Sequence, residues 1–246
     1  MAFLGVIGGL GPMATAYFME LITAMTAAEK DQEHLKMLVY SVPALPDRTA
    51  YILGKSKESP LSGLVEAGRA LGTLGVDLLA IPCITAHYFH EQIEEQTGIS
   101  VVHAIRESAV LLKEAGVSRV GLMATDGTVQ SKLFQKEFEK QGIAVMIPSE
   151  SGQAKVMSLI YDDVKMGNAP DMTAFEAVGK ELRAQGAQVI LLGCTELSLI
   201  KRSNPLSREY LDVMEVLARA VLLKTGTPIR EEYKDLLSNT KQEMLV

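Results

Sequence analysis

The sequence lacks what would place it in a bilayer, on a nucleic acid or behind disulfides. Its longest uninterrupted apolar run, residues 78–84, falls far short of the roughly 18 residues a membrane span needs. No basic region precedes the apolar N-terminal stretch, so Met1–Gly9 reads as a first β-strand and not as a signal peptide. There is no Lys/Arg cluster and the net charge is −6, which argues against a nucleic-acid partner. An anionic ligand would have to be held by a few positioned groups against the overall field. Only two cysteines are present. In a chain read as soluble and cytoplasmic, where disulfides are rare, thiol chemistry or simple burial accounts for them.

What is present is ordinary globular material: 48% hydrophobic and 22% charged residues over 246 positions, enough for one large domain or two modest ones. Short apolar runs alternate with amphipathic stretches. Strands are expected at 3–8, 37–41, 77–82, 100–103, 119–124, 144–147 and 189–192, with a last short strand leading into a helix over 210–224. Helices are expected at 12–30, 61–74, 86–96, 105–115, 129–141, 152–166 and 172–185, and residues 43–49 read as a Pro-rich loop. Buried strands between amphipathic helices predict an α/β fold with parallel sheets and βα crossovers.

A weak internal repeat refines this. Gly75-Val-Asp-Leu-Leu-Ala-Ile-Pro-Cys83 resembles Gly186-Ala-Gln-Val-Ile-Leu-Leu-Gly-Cys194, and the strand at 3–8 resembles the one at 120–125. The expected architecture is two similar three-layer α/β lobes with the active site in the cleft between them. The first lobe takes 1–102, completed by about 209–246, and the second takes 103–208.

Ligands of parallel α/β sheets bind beyond the carboxyl ends of the strands. Polar residues gather there at 8–15, 83–87, 125–128 and 194–196, and both cysteines fall at such ends. A buried cysteine is commonly an inert small hydrophobe. Two repeat-related cysteines, each before helix-starting polar residues, point instead to paired acid–base groups, because a helix N-terminus lowers a thiol's pKa.

Pro82-Cys83-Ile84-Thr85-Ala86-His87 resembles the Pro-Cys-Asn-Thr-Ala-His motif of the aspartate/glutamate racemases, and Gly193-Cys194-Thr195-Glu196 resembles their second cysteine motif. Gly8-Gly9-Leu10-Gly11-Pro12-Met13-Ala14-Thr15 is similar to the family's N-terminal signature, and Leu211–Glu215 to its final strand-to-helix step. The resemblance runs over about residues 2–225.

It implies racemisation of aspartate or glutamate without pyridoxal phosphate or metal, with Cys83 and Cys194 working from opposite sides of the α-carbon. It implies that Arg48 and Lys165 hold the side-chain carboxylate. Thr85, Thr125 and Thr195 would lie around the α-carboxylate, and Met13 and Ile84 would line the substrate. It also implies a homodimer. Ile84 stands where the family has asparagine, which leaves room for another amino acid, or for a related cysteine-dependent isomerase or decarboxylase.

Each residue has a plainer reading. Arg48 can be a solvated loop charge, Lys165 a complement to a helix dipole, Thr85 and Thr195 helix caps, Glu196 a helix-start residue. His87 and His90 with Glu91 and Glu94 match no metal-binding spacing, and His34 and His103 carry no signal. Gly9-Leu-Gly11-Pro-Met-Ala14 fits a dinucleotide fingerprint, but the second strand ends Val39-Tyr40-Ser41 with no acid for a ribose. A non-catalytic ligand sensor on the same scaffold is a further alternative, against which the presence of both cysteines weighs.

Overall fold

The computed structural model describes residues 2–204 and 206–237. These form two compact units. The first comprises Met1–Ala104 and Met214–Asp235; the second is built on Ile105–Val213. Residues 238–246, which the sequence reading assigns to the first lobe, lie outside the described residues, as does Pro205.

The first unit is a parallel three-stranded sheet of β1 (Leu4–Gly8), β2 (Met37–Ser41) and β3 (Leu78–Ala80) in the order β2-β1-β3. A single parallel bridge from Leu79 to Val101 is all that forms of the strand expected at 100–103. Every residue of β1 is buried, as a strand covered on both faces must be. Gly5 marks how close the cover comes: a Cβ there would sit 2.9 Å from the Leu79 side chain. The core around Ile7, Leu64, Leu71, Leu79, Ile81 and Ile93 continues to Cys83 itself. Each of these large side chains contributes roughly 1.5–3 kcal/mol by leaving water.

The second unit repeats the scheme. β4 (Arg119–Met123), β5 (Ala144–Met146), β6 (Val189–Leu192) and β7 (Tyr210–Asp212) form a parallel sheet in the order β5-β4-β6-β7. β4 takes the place of β1, β5 of β2 and β6 of β3, and full strand pairing between β6 and β7 replaces the lone Leu79–Val101 bridge. Gly121 of β4 again faces a packing leucine: a Cβ there would lie 2.9 Å from the Leu182 side chain. The segment from about 209 is thus divided. Its strand pairs with β6, and the following helix, Val213–Thr225, is assigned to the first unit from Met214 onward.

Several helices differ from the sequence reading for identifiable reasons. The first, Pro12–Met25, stops short of Lys30. Thr26 turns its hydroxyl back to the Ile22 carbonyl and forms an antiparallel bridge with Ile229. The helix expected from Ala86 is instead a 3-10 turn, Ile84–Phe89, followed by an α-helix, His90–Thr97. Arg48–Ile52 is helical where a loop was expected, because Asp47 caps it by accepting from the Ala50 N–H at 2.7 Å. The stretch 129–141 is two helices, Asp126–Gln130 and Leu133–Glu139, parted at Lys132 with φ of 57°. The helix expected over 152–166 is α-helical for Glu150–Ser158 and widens into a π-helical turn, Leu159–Val164, just before Lys165.

Candidate active site

In the first unit, Cys83 follows β3 in extended backbone (φ −143°) and opens the 3-10 turn that carries Ile84, Thr85 and His87. Its N–H donates to the Ile81 carbonyl at 2.7 Å, and its carbonyl accepts from the Ala86 N–H at 3.0 Å. Cys83, Ile84 and Thr85 are all buried. The Gly-rich loop after β1 is closed by Thr15, whose hydroxyl accepts from the Gly9 N–H at 2.9 Å and donates to the Gly11 carbonyl at 3.0 Å. Gly9 has φ of 90°, and a Cβ would lie 2.5 Å from the backbone nitrogen of Val42, so no other residue fits that turn. Met13, two residues beyond the loop, is 61% exposed. Arg48 donates through Nη1 to the carbonyls of Leu45 (3.2 Å) and Pro46 (2.9 Å). Its buried Nε has no hydrogen-bond partner among the described residues. The guanidinium is therefore tied back to its own loop on one side only.

In the second unit, Cys194 follows β6, also in extended backbone (φ −144°), and opens the helix Thr195–Ser203. Its thiol donates to Glu196 Oε2 at 2.8 Å, and the Thr195 hydroxyl donates to the same oxygen at 3.1 Å. The other oxygen of Glu196 lies 3.9 Å from Lys165 Nζ, and that ammonium sits 4.0 Å from the centroid of the Tyr161 ring. Thr125 ends β4 and caps the helix Asp126–Gln130, its hydroxyl 3.2 Å from that of Thr128. The expectation that a helix start lowers the thiol's pKa does not hold at Cys194. Burial pushes it well up, and the Glu196 carboxylate adds to the effect, while Lys165 opposes it.

The two cysteines have matched neighbours. Four residues after each stands a buried polar side chain, His87 or Ser198. Leu79 meets Val101 and Ile190 meets Tyr210, so His103 and Asp212, two residues further on, hold equivalent places. In the second unit the Ser198 hydroxyl donates to Asp212 Oδ1 at 2.7 Å. In the first, the His87 and His103 rings lie 5.2 Å apart, and the His90 ring lies 4.4 Å from that of His103, tilted by 44°. Burial holds His87 well below the usual imidazole range, with His103 and His90 adding to it.

Two features escaped the sequence reading. Glu196 was legible, standing two residues after a candidate thiol in a motif already singled out. His103 was not, because only the Leu79–Val101 bridge brings it to His87 and His90. Among the described residues no group of His, Cys, Asp or Glu is arranged to hold a metal ion. No helix among them is long and apolar enough to cross a membrane.

The profile of the Asp/Glu/Hydantoin racemase family matches residues 7–221. The broad specificity amino-acid racemase RacX of Bacillus subtilis (strain 168) is 25% identical over 203 residues, spanning 80% of this chain and 86% of that protein. The Picrophilus torridus aspartate racemase superposes with a TM-score of 0.81 at 28% identity, covering 96% of this chain and 99% of that one. A glutamate racemase of Francisella tularensis in complex with D-glutamate shares the fold alone, with a TM-score of 0.61 at 17% identity over 98% of this chain and 94% of that one.

Proposed function

This chain belongs to the Asp/Glu/hydantoin racemase family and is an amino-acid racemase; from that premise we propose that it interconverts the L and D forms of aspartate or glutamate with Cys83 and Cys194 as its two acid–base groups. The observation that carries the reading is the repetition. The chain has only two cysteines. Each follows the pseudo-equivalent strand in extended backbone and opens the next helical turn.

Inverting an α-carbon needs a proton removed from one face and another delivered to the opposite face. A single base returns the proton to the side it came from. Two groups, one thiolate and one thiol, invert the centre and exchange roles with direction. The carbanion formed between the two steps requires stabilisation at the α-carboxylate. Thr85, Thr125 and Thr195, with the N–H groups at the starts of their helical turns, supply donors for it. Arg48, whose fork suits a carboxylate, and Lys165 hold the substrate's side chain. Met13 and Ile84 complete the lining. No step in this scheme draws on pyridoxal phosphate or a metal.

Circular dichroism of L- and D-aspartate, L- and D-glutamate and a neutral pair such as alanine tests the reading. Both enantiomers of an acidic amino acid should relax to the same racemic end point. Arg48→Ala should raise KM for that substrate by about tenfold or more, the loss of a charge-assisted hydrogen bond, and leave KM for alanine nearly unchanged. Equal effects on acidic and neutral substrates would remove the side-chain role from Arg48. Turnover of neutral substrates alone would replace the proposed substrate class with that of a broad-specificity racemase.

A further inference from the structure

Lys165 stands apart from an ordinary substrate-binding cation because of what it touches without substrate. Its ammonium lies 3.9 Å from Glu196 Oε1, and the opposite oxygen of that carboxylate receives the Cys194 thiol proton at 2.8 Å. The chain ammonium–carboxylate–thiol lies wholly within the second unit and has no counterpart in sequence beside Cys83, where Thr85 holds the place of Glu196. Tyr161 fixes the ammonium from below at 4.0 Å. The π-helical turn Leu159–Val164 places both: it packs on the helix Thr195–Ser203 and ends at Lys165. Such turns recur at functional sites because the extra residue re-aims the side chains that follow.

We propose that Lys165 acts through Glu196 as a positioning residue that sets how readily Cys194 gives up its proton. The inference rests on the reading of Cys194 as one of the two acid–base groups. A carboxylate hydrogen-bonded to a thiol favours the protonated thiol, since ionisation would set two negative charges 2.8 Å apart. A cation on the far side of the carboxylate offsets that repulsion and makes the thiolate attainable. When an acidic substrate draws Lys165 onto its side-chain carboxylate, the offset weakens and Cys194 holds its proton more firmly. Recognition of the side chain is thereby coupled to the acid strength of one thiol, and a neutral substrate leaves the coupling unused.

Other charged groups lie on the elements packed against Cys194, Arg202 on its own helix among them. Asp212 on β7 accepts from Ser198. Asp163 in the π turn accepts from the Asp171 N–H, and Asp162 lies beside it. On the helix of Cys194 itself, Lys201 donates to the Tyr210 carbonyl. Lys165 supplies the cation for Glu196, at 3.9 Å.

The test follows the thiol directly and without substrate. In a Cys83→Ser background Cys194 is the only cysteine of the chain, so NMR of isotope-labelled cysteine gives a single titrating signal. Lys165→Met should raise its midpoint by about one pH unit, a tenfold fall in thiolate at a given pH below the midpoint. Lys165→Arg should restore it, and far-UV circular dichroism confirms that each variant is folded. In a Glu196→Gln background the Lys165→Met displacement should disappear. An unmoved midpoint accompanied by a raised KM for acidic substrates would overturn the proposal and leave Lys165 as a substrate ligand alone. A displacement that persists with Glu196→Gln would overturn the route through the carboxylate. Because the titration needs no turnover, it stands even if the chain proves to use different acid–base groups.

Discussion

The surroundings of Cys83 and Cys194 are built on one backbone plan and furnished with opposite chemistry. Both thiols stand at the end of the third strand of a repeated sheet, with φ within a degree of each other. In the unit of Cys83 three imidazoles, His87, His90 and His103, pack together. Behind Cys194 lie two carboxylates, Glu196 in contact with the thiol and Asp212 one hydrogen bond further back through Ser198. A symmetric scaffold thus offers unequal environments. The difference shows that a duplicated fold supplies geometry, while the few side chains placed around each copy differ in their chemistry.

The comparison is broken most severely by deleting one thiol at a time. Cys83→Ser and Cys194→Ser should each lower racemisation by about a thousandfold or more, the range for loss of a general acid–base group, with far-UV circular dichroism unchanged. A variant that keeps a near wild-type rate in both directions would make its half a structural copy. Deuterium uptake at the α-carbon sharpens the test: each variant should still exchange slowly from one enantiomer, and the two should favour opposite ones.

A smaller effect is expected at Ile84, the buried residue beside Cys83 that occupies the place of a polar asparagine in the family motif. Ile84→Asn should raise kcat/KM for aspartate or glutamate by about tenfold, the worth of one modest hydrogen bond. An unchanged rate and substrate profile would take position 84 out of substrate recognition. Thr195, the matching position after Cys194, is already polar and spends its hydroxyl on Glu196.

The smallest effect is on stability and belongs to the histidine side. The folded chain keeps His87 neutral, whereas an unfolded histidine takes a proton below about pH 6.5. The folded-state pKa is the depressed one, so stability is intact above that pH and falls as pH drops through it, by up to about 1.4 kcal/mol per pH unit. Urea midpoints measured between about pH 7 and 5.5 should fall less steeply for His87→Gln. The same slope in both chains would mean that His87 is not the group responsible.

Much of this arrangement is legible in the sequence, for definite reasons. Buried strands with few polar interruptions, such as Val189–Leu192, announce a parallel sheet without any partner in view. The eight-residue step from Gly75 to Cys83, repeated from Gly186 to Cys194, announces the duplication. What the sequence withholds depends on tertiary partners. The first helix ends at Met25 because residues two hundred positions later meet it, with Ala27 donating to the Pro228 carbonyl and Arg230 to that of Met25. The π-helical turn before Lys165 leaves the apolar periodicity of a helix nearly intact, so Gly152–Met166 reads as one continuous segment. The raised pKa of Cys194 runs against the helix-dipole expectation because burial outweighs a terminal dipole once a carboxylate also faces the sulfur.

The route of the chain through the first unit bears on its synthesis. Three parallel strands and their helices are complete by residue 104, yet the helix Val213–Thr225 that finishes this unit is encoded more than a hundred residues later. Val216, Leu217, Val221 and Leu222 of this helix are all buried in the finished protein. At the ~5–20 residues per second of translation, the N-terminal half emerges from the ribosome several seconds before that helix. During this interval the second unit, whose strands all lie between Arg119 and Asp212, is synthesised before the first unit receives its late helix. A nascent chain stalled near residue 200 should therefore bind a chaperone through its N-terminal half and release it once the helix Val213–Thr225 has left the exit tunnel.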